Sequence, residues 1–255
     1  MNAFHGLWNK EWKMTQVYHF ILISLSILVI ALSYWGLADD GLEFVLIPTG
    51  FLMILHMFYL PGYLLYSFAR EGRMLHAWLH SPQSIHQLTL VKFLNGLLFS
   101  ILSLMIVSGF IYWIISEIQQ LQGYMSDIGK MLLWMNFHSV LTAIYFGVFL
   151  YLLWSLRHFL NKIMGGWSWL ITLVSFVLFP ILLGWFQSSN LYVLLTKWGY
   201  MGVEMPTIEN KLESIQMAEA SMAMGVHAGT YLFHILLTLL MYFLASYILD
   251  RKVEV

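Results

Sequence analysis

The sequence predicts an all-α, polytopic membrane protein with six transmembrane helices, and three observations predict it. First, 60% of the 255 residues are hydrophobic and only 10% are charged. A soluble domain carries roughly 25% charged residues, so this chain has too little polar side chain to cover a water-facing surface. Second, six apolar runs contain no Asp, Glu, Lys or Arg. Each is long enough to supply the about 20 residues that cross roughly 30 Å of hydrocarbon. Third, the charges sort by connection. One set of connections holds Lys10, Lys13, Arg70, Arg73, Lys92, Arg157, Lys162, Arg251 and Lys252 against Glu11, Glu71, Asp250 and Glu254. The other holds only Lys130, Lys197 and Lys211 against nine acidic residues running from Asp39 to Glu219. The excess of Lys and Arg marks the first set as cytoplasmic, and an even number of spans puts both termini there. The whole chain, residues 1–255, reads as a single transmembrane domain, with no cleavable signal peptide.

The N-terminal segment Phe4–Met14 sets Phe4, Leu7, Trp8 and Trp12 on one helical face, with Asn9, Lys10 and Lys13 off it. That spacing predicts an interfacial helix lying flat in the headgroup layer; the alternative is an extension of the first span with snorkelling lysines. The first span is Val17–Ala38. The second, Phe44–Ala69, carries Pro48, Gly50, Pro61 and Gly62, so a kink is expected.

The connection from Arg70 to Lys92 is unusually ordered for a loop. Met74, Leu75, Trp78 and Leu79 share a face, and Ser81-Pro82 is a helix restart signal, an N-cap oxygen followed by a first-turn residue without an N–H. The connection reads as a short amphipathic helix, a sharp turn, and a second helix entering the third span, Phe93–Ser116. Its apolar, partly aromatic knuckle suits a docking surface; a helix resting on lipid is the alternative. Spans follow at Met131–Leu156, Trp167–Gln187 and Val226–Leu249. Trp and Tyr cluster near span ends, as headgroup anchors do. The segment Ser188–Gly225 begins apolar through Leu191–Leu195 and turns acidic through Glu204–Glu219. It is expected to form exterior helices before the last span, the first part dipping back into the leaflet.

Much chemistry is excluded. There is no Cys, hence no disulfide and no thiolate ligand or nucleophile. No Walker A, His-Glu-x-x-His or Gly-x-Ser-x-Gly pattern occurs. His76 and His80, with His86 nearby, could share a metal, but two imidazoles without a carboxylate or Cys make a weak site. His19, His56, His138, His227 and His234 lie in or near spans. Their depths are uneven for a haem pair, and interhelical hydrogen bonding is their expected role. Ion-coupled carriers bury an acid or base along their path; these spans offer only His. Uphill movement of a solute would therefore need energy from another protein.

The layout and two local patterns resemble the ABC-2-type permeases, the membrane subunits of bacterial ABC exporters. Leu7-Trp8-Asn9-Lys10-Glu11-Trp12 is similar to the family's N-terminal elbow helix, which Phe4, Trp8, Lys10 and Trp12 would form. Glu71, Leu79-His80-Ser81-Pro82 and Lys92 resemble the family's acidic residue, turn and Lys around its coupling helix. The run His76–Leu79 stands where the family has a Thr-Leu pair, and Trp-Leu-His-Ser-Pro looks closest to small permeases of Gram-positive bacteria. The resemblance implies a cytoplasmic coupling helix with Glu71, Arg73, Leu75, His76, Trp78, Leu79, Ser81 and Pro82 at the contact with a separate ABC ATPase. It implies a dimer of permease subunits, identical or not, with two ATPases in the bacterial plasma membrane. ATP and Mg would be bound by the partner chains, with no cofactor, catalytic residue, metal or nucleic acid in this one. The path would be lined by the second and fifth spans. Peptides, antibiotics or lipid-like compounds suit the uncharged, aromatic-rich spans. Two other readings stay open: a His-ligated haem redox protein, and a non-transporting membrane sensor or immunity protein.

Overall fold

The computed structural model describes residues 3–73, 82–203 and 224–253. Eight helices and one two-stranded hairpin make up this part. They are α1 (Ala3–Leu37), α2 (Leu42–Leu55), α3 (Tyr59–Gly72), α4 (Ile85–Glu117), α5 (Met125–Met164), α6 (Ser168–Gln187), α7 (Asn190–Thr196), β1 (Tyr200–Val203), β2 (Met224–His227) and α8 (Ala228–Ile248). Five continuous helical stretches among the described residues are long and apolar enough to cross a membrane. The longest, Gln119–Gln187, contains both α5 and α6. Gly165, at φ +54°, turns the chain between them, and α6 folds back so that Phe149 stacks on Phe176 and Phe179.

The bundle has two ends. The start of α1, the α3–α4 connection, the α5–α6 turn and the end of α8 lie at one; the hairpin lies at the other. The connections follow the sequence reading, but the helices overrun the expected spans. α1 is one helix from Ala3 to Leu37, roughly 50 Å at 1.5 Å per residue. The flat N-terminal helix is therefore corrected to an extension of the first span. Nothing between Met14 and Val17 breaks a helix, and Trp12 stacks on Phe99 of α4 at 4.9 Å instead of lying along a surface. The expected kink in the second span is present as a 3-10 turn, His56–Phe58, between α2 and α3. Pro61 explains its place, because its ring cannot tolerate a normal helical turn four residues upstream, at Met57.

The restart after the connection also moves. α4 begins at Ile85 with Ser84 as N-cap, its Oγ accepting from the Gln87 amide at 3.3 Å. Ser84 thus takes the capping role expected of Ser81, and α4 starts eight residues before Phe93. Before the last span, α7 is a short helix within the segment where exterior helices were expected. The fold is all-α as expected, except that the residues flanking the acidic run form one short strand pair where helix was expected: β1 and β2 pair antiparallel, Tyr200 with His227 through Val203 with Met224. The acidic run Glu204–Glu219 and the residues Leu75, His76, Trp78, Leu79, His80 and Ser81 lie outside the described residues.

Helix α5 is the hub, packing on α3, α4, α6 and α8. Tyr63, Leu64, Phe68 and Tyr151 form the core at one end. Val107, Ile111, Ile128 and Leu132 form it at the other. Ser and Thr within the spans mostly return their hydroxyl to the carbonyl four residues back, as at Ser26, Thr49, Ser108 and Ser155. The outer face of α1 and nearly all of α6 present large apolar side chains outward, Trp185 being 77% exposed. That is the surface lipid requires.

Close approach of α3 to α4 depends on Gly96, where a Cβ would overlap the Tyr63 ring and Leu60. Gly96→Leu is expected to destabilise the bundle by roughly 1–3 kcal/mol through overpacking. Thermal aggregation in detergent should show a lower midpoint; an unchanged midpoint would mean that α3 and α4 can part freely here.

Candidate functional site

The sequence reading left the spans without charge, yet the helices bury three charged residues. Because α1 and α4 extend past the expected span limits, Glu11 and Lys92 face inward from them and meet Glu71 at the end of α3. Lys92 is 1% exposed, Glu11 3% and Glu71 7%. Lys92 Nζ donates to Glu11 Oε2 at 2.6 Å, to Ser67 Oγ at 2.8 Å and to Glu71 Oε1 at 3.3 Å. Those three bonds use every proton of the ammonium. Glu11 Oε1 accepts from Ser67 at 2.5 Å and from the Tyr63 hydroxyl at 2.8 Å. Lys10, half-exposed, donates to Glu71 Oε1 at 2.9 Å. Two ammonium groups thus face two carboxylates, and the cluster is formally neutral.

A polar chain continues from the cluster toward the middle of the bundle. The Tyr63 hydroxyl lies 3.1 Å from Asn95 Oδ1, and Asn95 Oδ1 lies 2.9 Å from His19 Nε2. Tyr63 has one proton between two acceptors, and the charged, nearer Glu11 binds it more strongly. An amide oxygen only accepts, so His19 Nε2 donates to it, and His19 Nδ1 accepts from the Tyr59 hydroxyl at 3.0 Å. The imidazole is held between the Tyr63 and Phe99 rings, 4.8 and 4.4 Å away. Asn95 Nδ2 is buried without a partner. Farther along, His56 Nδ1 donates to the Leu52 carbonyl at 2.8 Å, which leaves Nε2 to accept from Ser103 of α4 at 2.9 Å. His19 and His56 therefore do join helices by hydrogen bonds, as the sequence suggested for the intramembrane histidines.

Three of the expected coupling residues, Glu71, Arg73 and Pro82, are among the described residues. Glu71 is engaged in the buried cluster, bonded to Lys10 and Lys92. Arg73 and Pro82 are exposed on either side of the connection. Of the elbow residues, Lys10 joins the cluster and Trp12 the aromatic stack, while Phe4 and Trp8 are partly covered on α1. Sequence reasoning placed Lys92 at a helix entrance and missed that Glu11 pairs with it. The signal available was their opposite charge at matching depth on two same-direction helices. His86 reaches Tyr242 at 3.2 Å, and no group of three or more His, Cys, Asp or Glu able to hold a metal occurs among the described residues. His138 and His234, which the depth comparison did not pair, line one cavity between α5 and α8.

Comparison with family models, curated proteins and solved structures gave no match. What holds without a relative is a helical chain with several long apolar helices, a multi-pass membrane protein in its physical character.

Removing one partner of a buried ion pair strands the other, at a cost of roughly 3–5 kcal/mol. Lys92→Met should therefore lower the melting temperature sharply. Lys92→Met combined with Glu11→Gln should recover part of the loss, with a coupling energy of about 0.5–3 kcal/mol in a double-mutant cycle. Additive losses in that cycle would show that the two groups do not act as a pair.

Proposed function

We propose that the chain is the membrane-spanning permease subunit of an ATP-binding-cassette exporter of the ABC-2 type, driven by a separate cytoplasmic ATPase. The observation that carries this reading is the position of the buried cluster. Glu71 and Lys92 flank the α3–α4 connection on its two sides, and both bind within the same few ångströms as Glu11 of α1. A push on that connection would reach three helices at once. A connection that only joined two spans would need no such anchorage.

Other features support it. With α6 folded back on α5, the chain crosses six times, and both termini lie at the end where the basic residues gather. In the bacterial plasma membrane this end faces the cytoplasm, where ATP is. The apolar face that α6 turns away from α5 suits a partner permease subunit, and a path beside α2, α3 and α6 follows the family's arrangement. The exported compound would be a peptide, an antibiotic or a lipid-like molecule. An external energy source suits a chain whose buried acids and lysine are paired at one end and whose deeper buried ionisable groups are only His19 and His56 among the described residues.

The test is co-expression with each cytoplasmic ABC ATPase of the source genome that lacks a membrane domain of its own. The ATPase should co-purify, and Trp78→Ala or Pro82→Ala should keep ATP hydrolysis while export falls. A coupling energy of 1–3 kcal/mol corresponds to a loss of about 5–150-fold. Wild-type export in both variants, or a chain that purifies alone from cells holding the ATPase, would refute the reading.

A further inference from the structure

Two adjoining cavities share Trp154 and Arg157 of α5 and contain none of the clustered charges. One, of about 310 Å³, lies between Gly72 and Arg73 at the end of α3 and Arg157, His158 and Asn161 of α5. The other, of about 490 Å³, is a groove with α5 as its floor. Leu65 of α3 forms one wall, and Trp169, Leu173 and Phe176 of α6 form the other. Helices α3 and α6 both pack on α5 and leave this groove between them.

The linings follow helix register, and they are sorted by depth. On α5, Leu150, Leu153, Trp154, Arg157, His158 and Asn161 recur at steps of three and four, so they form one stripe. Leu65, Ala69, Gly72 and Arg73 make the facing stripe on α3. Both helices run toward the end where the basic residues gather, and both stripes pass from apolar to cationic in that direction. Helix α6 starts from that end, with Trp169 first and Leu173 and Phe176 deeper.

The cations there have no protein counter-ion. Arg73 and Arg157 are exposed, and neither makes an ion pair or hydrogen bond among the described residues. The acids described at this end are engaged elsewhere: Glu11 and Glu71 with Lys92 and Lys10, Asp250 with Arg251. Met74 to Ser81, the next residues in sequence, include no Asp or Glu. Beside the two guanidinium groups, His158 meets the Trp154 ring edge-on at 4.6 Å, and Trp154 stacks on Phe68 at 4.8 Å. Gly72 leaves room for this ring, since a Cβ there would lie 3.6 Å from His158 Nε2.

We infer that the two cavities together hold one anionic phospholipid, its phosphate on Arg157 and Arg73 beside His158, its acyl chains along Leu153, Leu173 and Phe176. A guanidinium fork matches phosphate oxygens, and basic pockets between membrane helices suit anionic headgroups. A zwitterionic head would bring an ammonium that meets two arginines and no acid. A soluble phosphate would leave the apolar groove unused. The site requires only a bilayer around the chain, so it stands apart from the transport reading.

The test uses the full chain in phosphatidylcholine nanodiscs. The probe is phosphatidylglycerol with a diazirine in its acyl chain; the control is phosphatidylcholine carrying the same chain. Photolysis and peptide mapping should show labelling by the phosphatidylglycerol probe at residues 150–153 and 173–176. It should saturate at a low mole fraction and be displaced by unlabelled phosphatidylglycerol. Arg157→Gln should weaken this binding roughly fivefold, and Arg73→Gln with Arg157→Gln roughly 25-fold. Both side chains are exposed, so the phosphatidylcholine pattern and the melting temperature should stay as in the wild type. Equal labelling by the two probes, or labelling that survives in the double variant, would overturn the proposal. So would the absence of label from the groove at every mole fraction, which would mean that protein fills it. Glycerophosphoglycerol, the same head without acyl chains, should not displace the probe; displacement equal to that by the lipid would show a site for a soluble phosphate instead.

Discussion

Everything at one end of this molecule depends on a single buried ammonium group. Lys92 lies on α4 with almost no access to solvent, and lipid offers it none. A cation in that position is tolerable only if its protons are bound and its charge is balanced. Glu11 and Glu71 balance it and Ser67 binds the remaining proton, and these groups come from α1 and α3. The cluster therefore fixes three helices in depth and rotation. Apolar side chains cannot do this alone, because lipid tails are as apolar as they are. A one-residue slip of α1 would carry Glu11 off the Lys92 face and leave both charges stranded.

The same need for partners organises the neighbouring polar groups. Tyr63, Asn95, His19 and Tyr59 form a continuous chain because each has a donor or acceptor that must be met away from water. Aromatic rings close around it: Tyr63 and Phe99 sandwich His19, and Trp12 stacks on Phe99. Gly96 lets Tyr63 reach α4 closely enough to contact Glu11 and Asn95 together. Charge, hydrogen bonding and ring packing thus specify the same register at this end.

Much of this architecture was legible in the sequence, for reasons that also mark where legibility stops. Spans were readable because a long uncharged run has few other homes. The hinge in the second span was readable from Pro61, and the grouping of connections from the basic residues. The buried cluster was not. Glu11, Glu71 and Lys92 are charged, so a rule that places charges outside spans puts them in loops. Only the pairing across α1, α3 and α4 makes their burial affordable, and pairing is a property of three segments together. The flat N-terminal helix failed similarly: Phe4, Trp8 and Trp12 do share a face, but Trp12 on that face stacks on Phe99 of α4 and Phe4 and Trp8 are partly covered. The hairpin was missed because Tyr200–Val203 and Met224–His227 are short and distant in sequence, so neither alone carries a period-2 signal. Ser84 capped the restart in place of Ser81 because both are Ser within the same short turn, and sequence does not rank them.

The two ends of the bundle differ in how firmly they are held, and that difference bears on movement. At the Lys92 end, ion pairs, hydrogen bonds and a core of Tyr63, Phe68 and Tyr151 bind α1, α3, α4 and α5 together. Separating them would strand charges. Toward the hairpin, α5 and α8 leave a cavity, and Asn136 Oδ1 and Tyr231 OH lack partners. Parting α5 from α8 there would break the ring contacts of Tyr231 with Trp134, Phe137 and His138 but could satisfy atoms that are now orphaned. Elements joined at one end and open at the other move by splaying about the joined end, because packed cores resist continuous deformation. A force applied at the α3–α4 connection would meet the stiff end first and emerge as displacement at the loose one. Helix α5, which packs on α3, α4, α6 and α8, runs from one of these ends to the other.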